Sequence, residues 1–210
     1  MSEYTLDTDA AKQADTGGGR ITETGKYVGT FTKAKKVLSK KGTQGIEFSF
    51  ESTGGQSADY LSVWTLNAKG EQIYGFKQLM AMMTCLKVRG IDATKATVEE
   101  YDRDSGSMQP NSIEVYAALQ GKPIGVLLQM EEYEKKDGTI AEKPSFAGFF
   151  DPSTEQVATE ILEKSEAKIL EKLVGQLVPV RKLKPSNKPV QGYQGGTGMP
   201  DDFDNDLIPF

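Results

Sequence analysis

Apolar and polar side chains strictly alternate through Ile46-Glu47-Phe48-Ser49-Phe50-Glu51, the period of a strand with one face in a core. A strand-like stretch from Tyr27 to Leu38 precedes it, across the turn sequence Ser39-Lys40-Lys41-Gly42-Thr43-Gln44-Gly45. A third strand is expected from Tyr60 to Leu66, between the loop Gly54-Gly55-Gln56-Ser57-Ala58-Asp59 and the turn Asn67-Ala68-Lys69-Gly70. The period then changes. Phe76, Leu79, Met80, Met83 and Leu86 fall at helical spacing, and Gly90 stands where helices commonly stop. After a polar stretch from Asp102 to Gln109, alternation returns at Ile113, Val115, Ala117 and Leu119, and Ile124 to Met130 is almost continuously apolar. Asp137-Gly138 marks a hairpin turn before a last strand near Phe146 to Phe150.

Three strands, a helix and further strands is the order of a five-stranded OB-type barrel with its helix between strands three and four. A mainly β fold of that type is therefore expected over residues 26–150. Residues 1–25 carry Thr16-Gly17-Gly18-Gly19 without periodicity and read as a flexible N-terminal arm. At the other end, Asp151-Pro152-Ser153-Thr154-Glu155 suits a helix start, and Leu162, Ile169, Leu173 and Leu177 predict one C-terminal helix over 151–178, ended by Pro179. The remainder, 179–210, is rich in Lys-Pro and Gly and reads as a disordered linker with an acidic tip.

Composition narrows the chemistry. The chain has no histidine and one cysteine, Cys85, which removes imidazole-based nucleophile systems, histidine-ligated zinc and any internal disulfide. No phosphate-cradling G-x-x-x-x-G-K-[ST] loop or G-x-G-x-x-G turn is present, so no cofactor and no catalytic residue are expected, and binding becomes the leading class. Met80, Met82, Met83 and Cys85 read as helix packing, and no metal site is expected. A carboxylate nuclease would have to use Glu99, Glu100, Asp102 and Asp104, which lie in one polar stretch without the spread that two-metal chemistry needs. Nothing near Met1 has the basic and apolar regions of a leader and no run is long enough to cross a bilayer, so a cytoplasmic protein without membrane contact is expected.

The net charge of −5 conceals opposed segments. The 26–150 segment is nearly neutral, 179–200 is basic, and 201–210 holds four aspartates and no cation. Within the β segment the cations cluster: Lys33, Lys35, Lys36, Lys40 and Lys41 on the first strand and its turn, then Lys69, Lys77, Lys87 and Arg89, then Lys135 with Lys136 in the late hairpin. Lysines on such hairpins would flank a phosphate backbone crossing an OB groove, although a lysine-rich hairpin also serves simply as a solvated edge that resists strand addition. If Leu61 and Val63 face the core, Tyr60 and Trp64 project from the opposite side, where bases could stack. Tyr116 and Tyr133 are similar candidates on later strands, and the alternative for Trp64 is a place in the core. Single-stranded DNA held by Lys33, Lys35, Lys36, Lys40, Lys41, Lys77 and Lys135 and stacked on Tyr60, Trp64 and Tyr133 is the expected ligand.

The end of the chain, Asp201-Asp202-Phe203-Asp204-Asn205-Asp206-Leu207-Ile208-Pro209-Phe210, joins four carboxylates to a terminal Ile-Pro-Phe. A partner with an apolar pocket beside cations would recognise such a peptide. It resembles the C-terminal tip of bacterial single-stranded DNA-binding proteins, with Asn205 at one acidic position and Leu207 as an extra residue. The segment Tyr27 to Asp92 and the stretch from Gly121-Lys122-Pro123-Ile124-Gly125 to Phe149-Phe150-Asp151 resemble phage-encoded OB-fold single-stranded DNA-binding proteins. The resemblance implies sequence-independent coating of DNA in replication, recombination or repair, with Asp202, Phe203, Asp204, Asp206, Ile208, Pro209 and Phe210 recruiting partner proteins. A strand-annealing recombination mediator and a non-catalytic interaction adaptor are the alternatives, and an oligomer is compatible with any of them.

Overall fold

A computed structural model describes residues 18–102, 106–135 and 137–183. The protein is mainly β, built on one open sheet of eight strands. In chain order these are β1 (Gly25–Leu38), β2 (Gln44–Ser52), β3 (Ser57–Leu66), helix α1 (Tyr74–Cys85), β4 (Thr94–Asp102), β5 (Ser107–Val115), β6 (Pro123–Glu134), β7 (Ile140–Phe150), short helices α2 (Ala158–Glu163) and α3 (Ile169–Gly175), and the two-residue β8 (Val180–Arg181). All ladders are antiparallel except β8, which lies parallel to β6.

Long β1 is the hub. One edge pairs with β2 from Gly29 to Leu38; the other pairs with β6 from Gly25 to Thr30 and then meets β5 where Lys35 pairs with Val115. The sheet curves so that β3 and β7 approach each other. Among the described residues β7 pairs in the sheet with β6 alone, so side chains rather than a backbone ladder fill the gap. Phe31, Phe48, Phe50, Phe146 and Phe149 occupy it. Phe31 and Phe48 have ring centroids 4.7 Å apart, and Phe146 stands edge-on to both at 5.9 and 5.8 Å. Such tilted and edge-to-face contacts are the favoured aromatic geometries.

Helix α1 seals this core with Leu79, Met82, Met83 and Cys85. It follows β3 directly and rests on it so closely that a Cβ at Gly75 would stand 2.0 Å from the Trp64 carbonyl oxygen, a contact only glycine permits. The first three strands, the helix after them and the Asp137-Gly138 turn thus lie where alternation and turn chemistry place them.

Four expectations need correction. The sheet has eight strands, not five, because β4 and β5 form a long hairpin through the mainly polar stretch and β8 adds to β6. Ala96 and Val98 are too sparse to betray a strand, and β5 ends at Val115, followed by a 3-10 turn over Ala117–Leu119. Residues 151–178 are not one helix. Asp151 accepts bonds from the N–H and hydroxyl of Ser153 and makes a turn. Lys164 then takes a left-handed conformation (φ 55°) that ends α2 before α3 begins. The supposed arm joins the sheet before residue 25, since Arg20 bridges Ser57 and Ile21 is buried, while residues 1–17 lie outside those described. The linker too is anchored at its start. The Gln129 side chain accepts from the Val178 N–H and donates to its carbonyl, and the Thr24 hydroxyl donates to the Pro179 carbonyl, which seats β8 beside Met130 and Glu131.

Candidate nucleic-acid interface

Strand register sorts the site residues by face, because directly paired residues of an antiparallel ladder point the same way. Phe31 and Ala34 on β1, Ile46, Phe48 and Phe50 on β2, and Leu61 and Val63 on β3 point into the core. The outer face therefore carries successive rows. Lys35, Glu47 and Ser62 form one; Val37, Gly45 and Trp64 form the next; Lys33 and Ser49 lie one step the other way. Neighbouring strands stand about 4.8 Å apart and same-face rows about 7 Å, so Lys35 and Trp64 have backbones on the order of 12 Å apart on one surface.

Trp64 belongs to that surface and is half-buried. Its ring lies against the bare backbone of Gly45: a Cβ there would stand 2.8 Å from Trp64 Cε3 and 2.7 Å from the Val63 carbonyl oxygen. It stands on the face opposite Leu61 and Val63, half-buried there and outside the core. A supported ring with one side committed to protein is the geometry a stacking platform needs.

Two turns close the end of the surface nearest Trp64. In the β1–β2 turn the Ser39 hydroxyl accepts from the Thr43 N–H at 2.9 Å and Gly42 takes φ 84°, leaving Lys40 and Lys41 exposed. In the turn after β3, Asn67 Oδ1 accepts from the N–H groups of Lys69 and Glu71. The turns touch, with the Gly42 Cβ position 3.2 Å from Ala68 Cβ. Lys69 thereby joins Lys40 and Lys41, a neighbour the sequence reading left out of the site. Its signal was present, since the turn that holds it continues directly from the strand that holds Trp64.

Other expected members stand apart. Lys36 projects from the opposite side of β1 and its Nζ donates to Glu114 Oε2 at 2.9 Å; that hydrogen bond and the carboxylate's charge raise its pKa. Lys77 is exposed on α1, beside a groove of about 260 Å³ lined by Tyr74, Ala81, Phe149, Val157 and Leu173. Tyr133 and Lys135 lie on the β6–β7 hairpin, where Lys143 Nζ stands 5.6 Å from the Tyr133 ring centroid and Glu131, Glu132, Glu134 and Glu142 line the strands. Because Gly25 pairs with Leu128, the path from Lys35 back along β1 and out along β6 to Tyr133 covers about 50 Å of strand at ~3.3 Å per residue. The hairpin is thus a separate end of the molecule, its glutamates interspersed with Lys135 and Lys143. Lys87 is also committed, its Nζ 2.8 Å from buried Asp151 Oδ2. Burial opposes ionisation of Asp151, but Lys87 and the Ser153 donors outweigh it and hold the carboxyl below its ordinary range.

The tip residues Asp202, Phe203, Asp204, Asp206, Ile208, Pro209 and Phe210 lie outside the described residues, as do Asp104 and the side chains of Glu99, Glu100 and Asp102. Among the described residues no helix is long and apolar enough to cross a membrane. The sequence matches no protein-family model and no curated protein.

Proposed function

We propose that this protein binds single-stranded DNA without sequence preference, on the outer face of β1, β2 and β3, and serves DNA replication, recombination or repair in the cytoplasm of the cell, a phage-infected one included. One observation carries the reading: Lys33, Lys35 and Trp64 share that face, and it runs into adjoining turns that add Lys40, Lys41 and Lys69. Phosphates pair with the ammonium groups and release condensed counterions, while bases stack on the ring, so affinity comes from chemistry common to every nucleotide. Glu47, lying between Lys35 and Ser62, keeps the middle of the face from being uniformly cationic. The β1-β2-β3-helix order, with β6 and β7 after it, supports an OB-type reading in which the β4–β5 hairpin is an insertion. The chain performs no chemistry on the strand, and its acidic tip recruits replication or recombination proteins.

Titration with oligo(dT), read by the fluorescence of the single tryptophan, tests the DNA reading. Quenching that weakens as salt rises is expected. No quenching and no gel shift at low salt would remove the reading.

A further inference from the structure

Among the described residues four non-glycine residues take positive φ, and three have local reasons. Lys164 caps α2, Lys87 follows the end of α1, and Glu155 closes a turn by donating its N–H to the Asp151 carbonyl. Tyr60, at φ 61°, is inside a strand and carries a bulky ring, the kind of residue that αL geometry disfavours. It sits in a bulge. On β3, Ala58 pairs with Phe50 and Leu61 with Phe48, so Asp59 and Tyr60 together oppose the single residue Ser49. Ala58 and Leu61 are both buried although three residues apart, and Tyr60, which regular alternation would turn inward with Ala58, is 69% exposed.

The same level of β1 is bulged as well. Phe31 pairs with Phe50 and Lys33 with Ser49, which leaves Thr32 extra, and buried Phe31 and Ala34 are again three apart. The Thr32 hydroxyl donates to the Ser49 carbonyl at 3.3 Å. Two bulges on opposite flanks of Ser49 therefore turn Thr32 and Lys33 outward on one side and Asp59 and Tyr60 on the other. Bulges of this kind re-aim side chains and bend the strand.

We propose that the paired bulges build a nucleotide step on the outer face, in which Tyr60 stacks an unpaired base while Lys33 holds a phosphate across Ser49, the strained Tyr60 backbone being retained for this contact. The inference rests on the DNA-binding reading above. Exposed Asp59 beside the ring repels phosphate and leaves that side of the step to a base. Four residues along β3, Trp64 supplies the next platform, about 13 Å away.

The test compares the full chain with Tyr60→Gly and Tyr60→Phe, measuring heat stability and the anisotropy of labelled oligo(dT). Glycine takes φ 61° without strain, so Tyr60→Gly should melt no lower than the parent yet bind roughly 5- to 150-fold more weakly, the range expected for one lost stacking contact. Tyr60→Phe should bind as the parent does. Parent-like binding by Tyr60→Gly overturns the inference, as does a lower melting temperature, which would show the ring stabilises the fold and is not held at a cost. Failure of the parent itself to bind oligo(dT) sinks the underlying DNA reading, a separate outcome.

Discussion

Cys85 ends α1 within the core, where burial, with nearby Asp151 adding to it, pushes its thiol up to about 12. A thiol so placed holds almost no thiolate near neutrality, and thiolate is the reactive form. The native protein should therefore resist a disulfide-exchange reagent at pH 8 and react at once in denaturant; fast native labelling would place the sulfur elsewhere. Gly45 makes the opposite point, a residue defined by what it lacks. An alanine there meets the Trp64 ring and the Val63 carbonyl, and overpacking of this kind commonly costs about 1–3 kcal/mol. Gly45→Ala should lower stability in denaturant titration by that amount and shift the Trp64 emission, because the ring loses its seat. Alternation alone told that Trp64 faces away from Leu61 and Val63; that glycine supports it was hidden, since β-sheet register couples residues far apart in sequence.

Among the elements, legibility followed the density of apolar contrast. β2 alternates without a break and α1 repeats with helical spacing, so both were readable, whereas β4 owes its strand form to backbone pairing with β5. The region after β7 misled for a different reason. Leu162, Ile169, Leu173 and Leu177 do suit one helix, but buried Glu160 divides it: its carboxylate accepts the Val157 N–H at 3.0 Å, the Lys168 N–H at 2.6 Å and the Ile169 N–H at 2.8 Å, capping α2 and α3 together. A side chain serving two helix starts leaves no periodic trace. Burial opposes its ionisation, yet the three donors prevail and hold Glu160 below its ordinary 4.5. The unfolded chain thus takes up the proton first as pH falls. The stabilisation is complete above the unfolded value and is lost as pH drops through and below it. Melting temperature followed from pH 7 to 3 should decline steeply below about pH 4.5, and Glu160→Gln should melt lower at neutral pH with a flatter acid limb. A variant with the parent's full acid limb would mean that other carboxylates, Asp151 foremost, carry the loss.

At the scale of the whole molecule, the expected cations fall at two distant ends of the sheet. One end presents the lysines of β1 and the two adjoining turns; the other, some 50 Å of strand path away, presents Lys135 among the carboxylates of the β6–β7 hairpin, where β8 is fixed and Arg181 pairs with Glu131 at 2.8 Å. Pooling all the lysines from sequence joins these two ends in one site, and only three-dimensional register shows how far apart along the strands they lie. The separation has a measurable consequence. Each phosphate neutralised on a single strand adds roughly 0.7 to the steepness with which log affinity falls against log salt. Replacing Lys33 and Lys35 together by glutamine should then weaken oligo(dT) binding at low salt and flatten that slope by up to about 1.4, the sum for two lost phosphate contacts. Lys135→Gln, in the distant β6–β7 hairpin, should leave affinity and slope unchanged. Equal effects from the two ends would mean that the strand is held by diffuse charge around the molecule, and the outer face of β1–β3 would then lose its claim to be the binding surface.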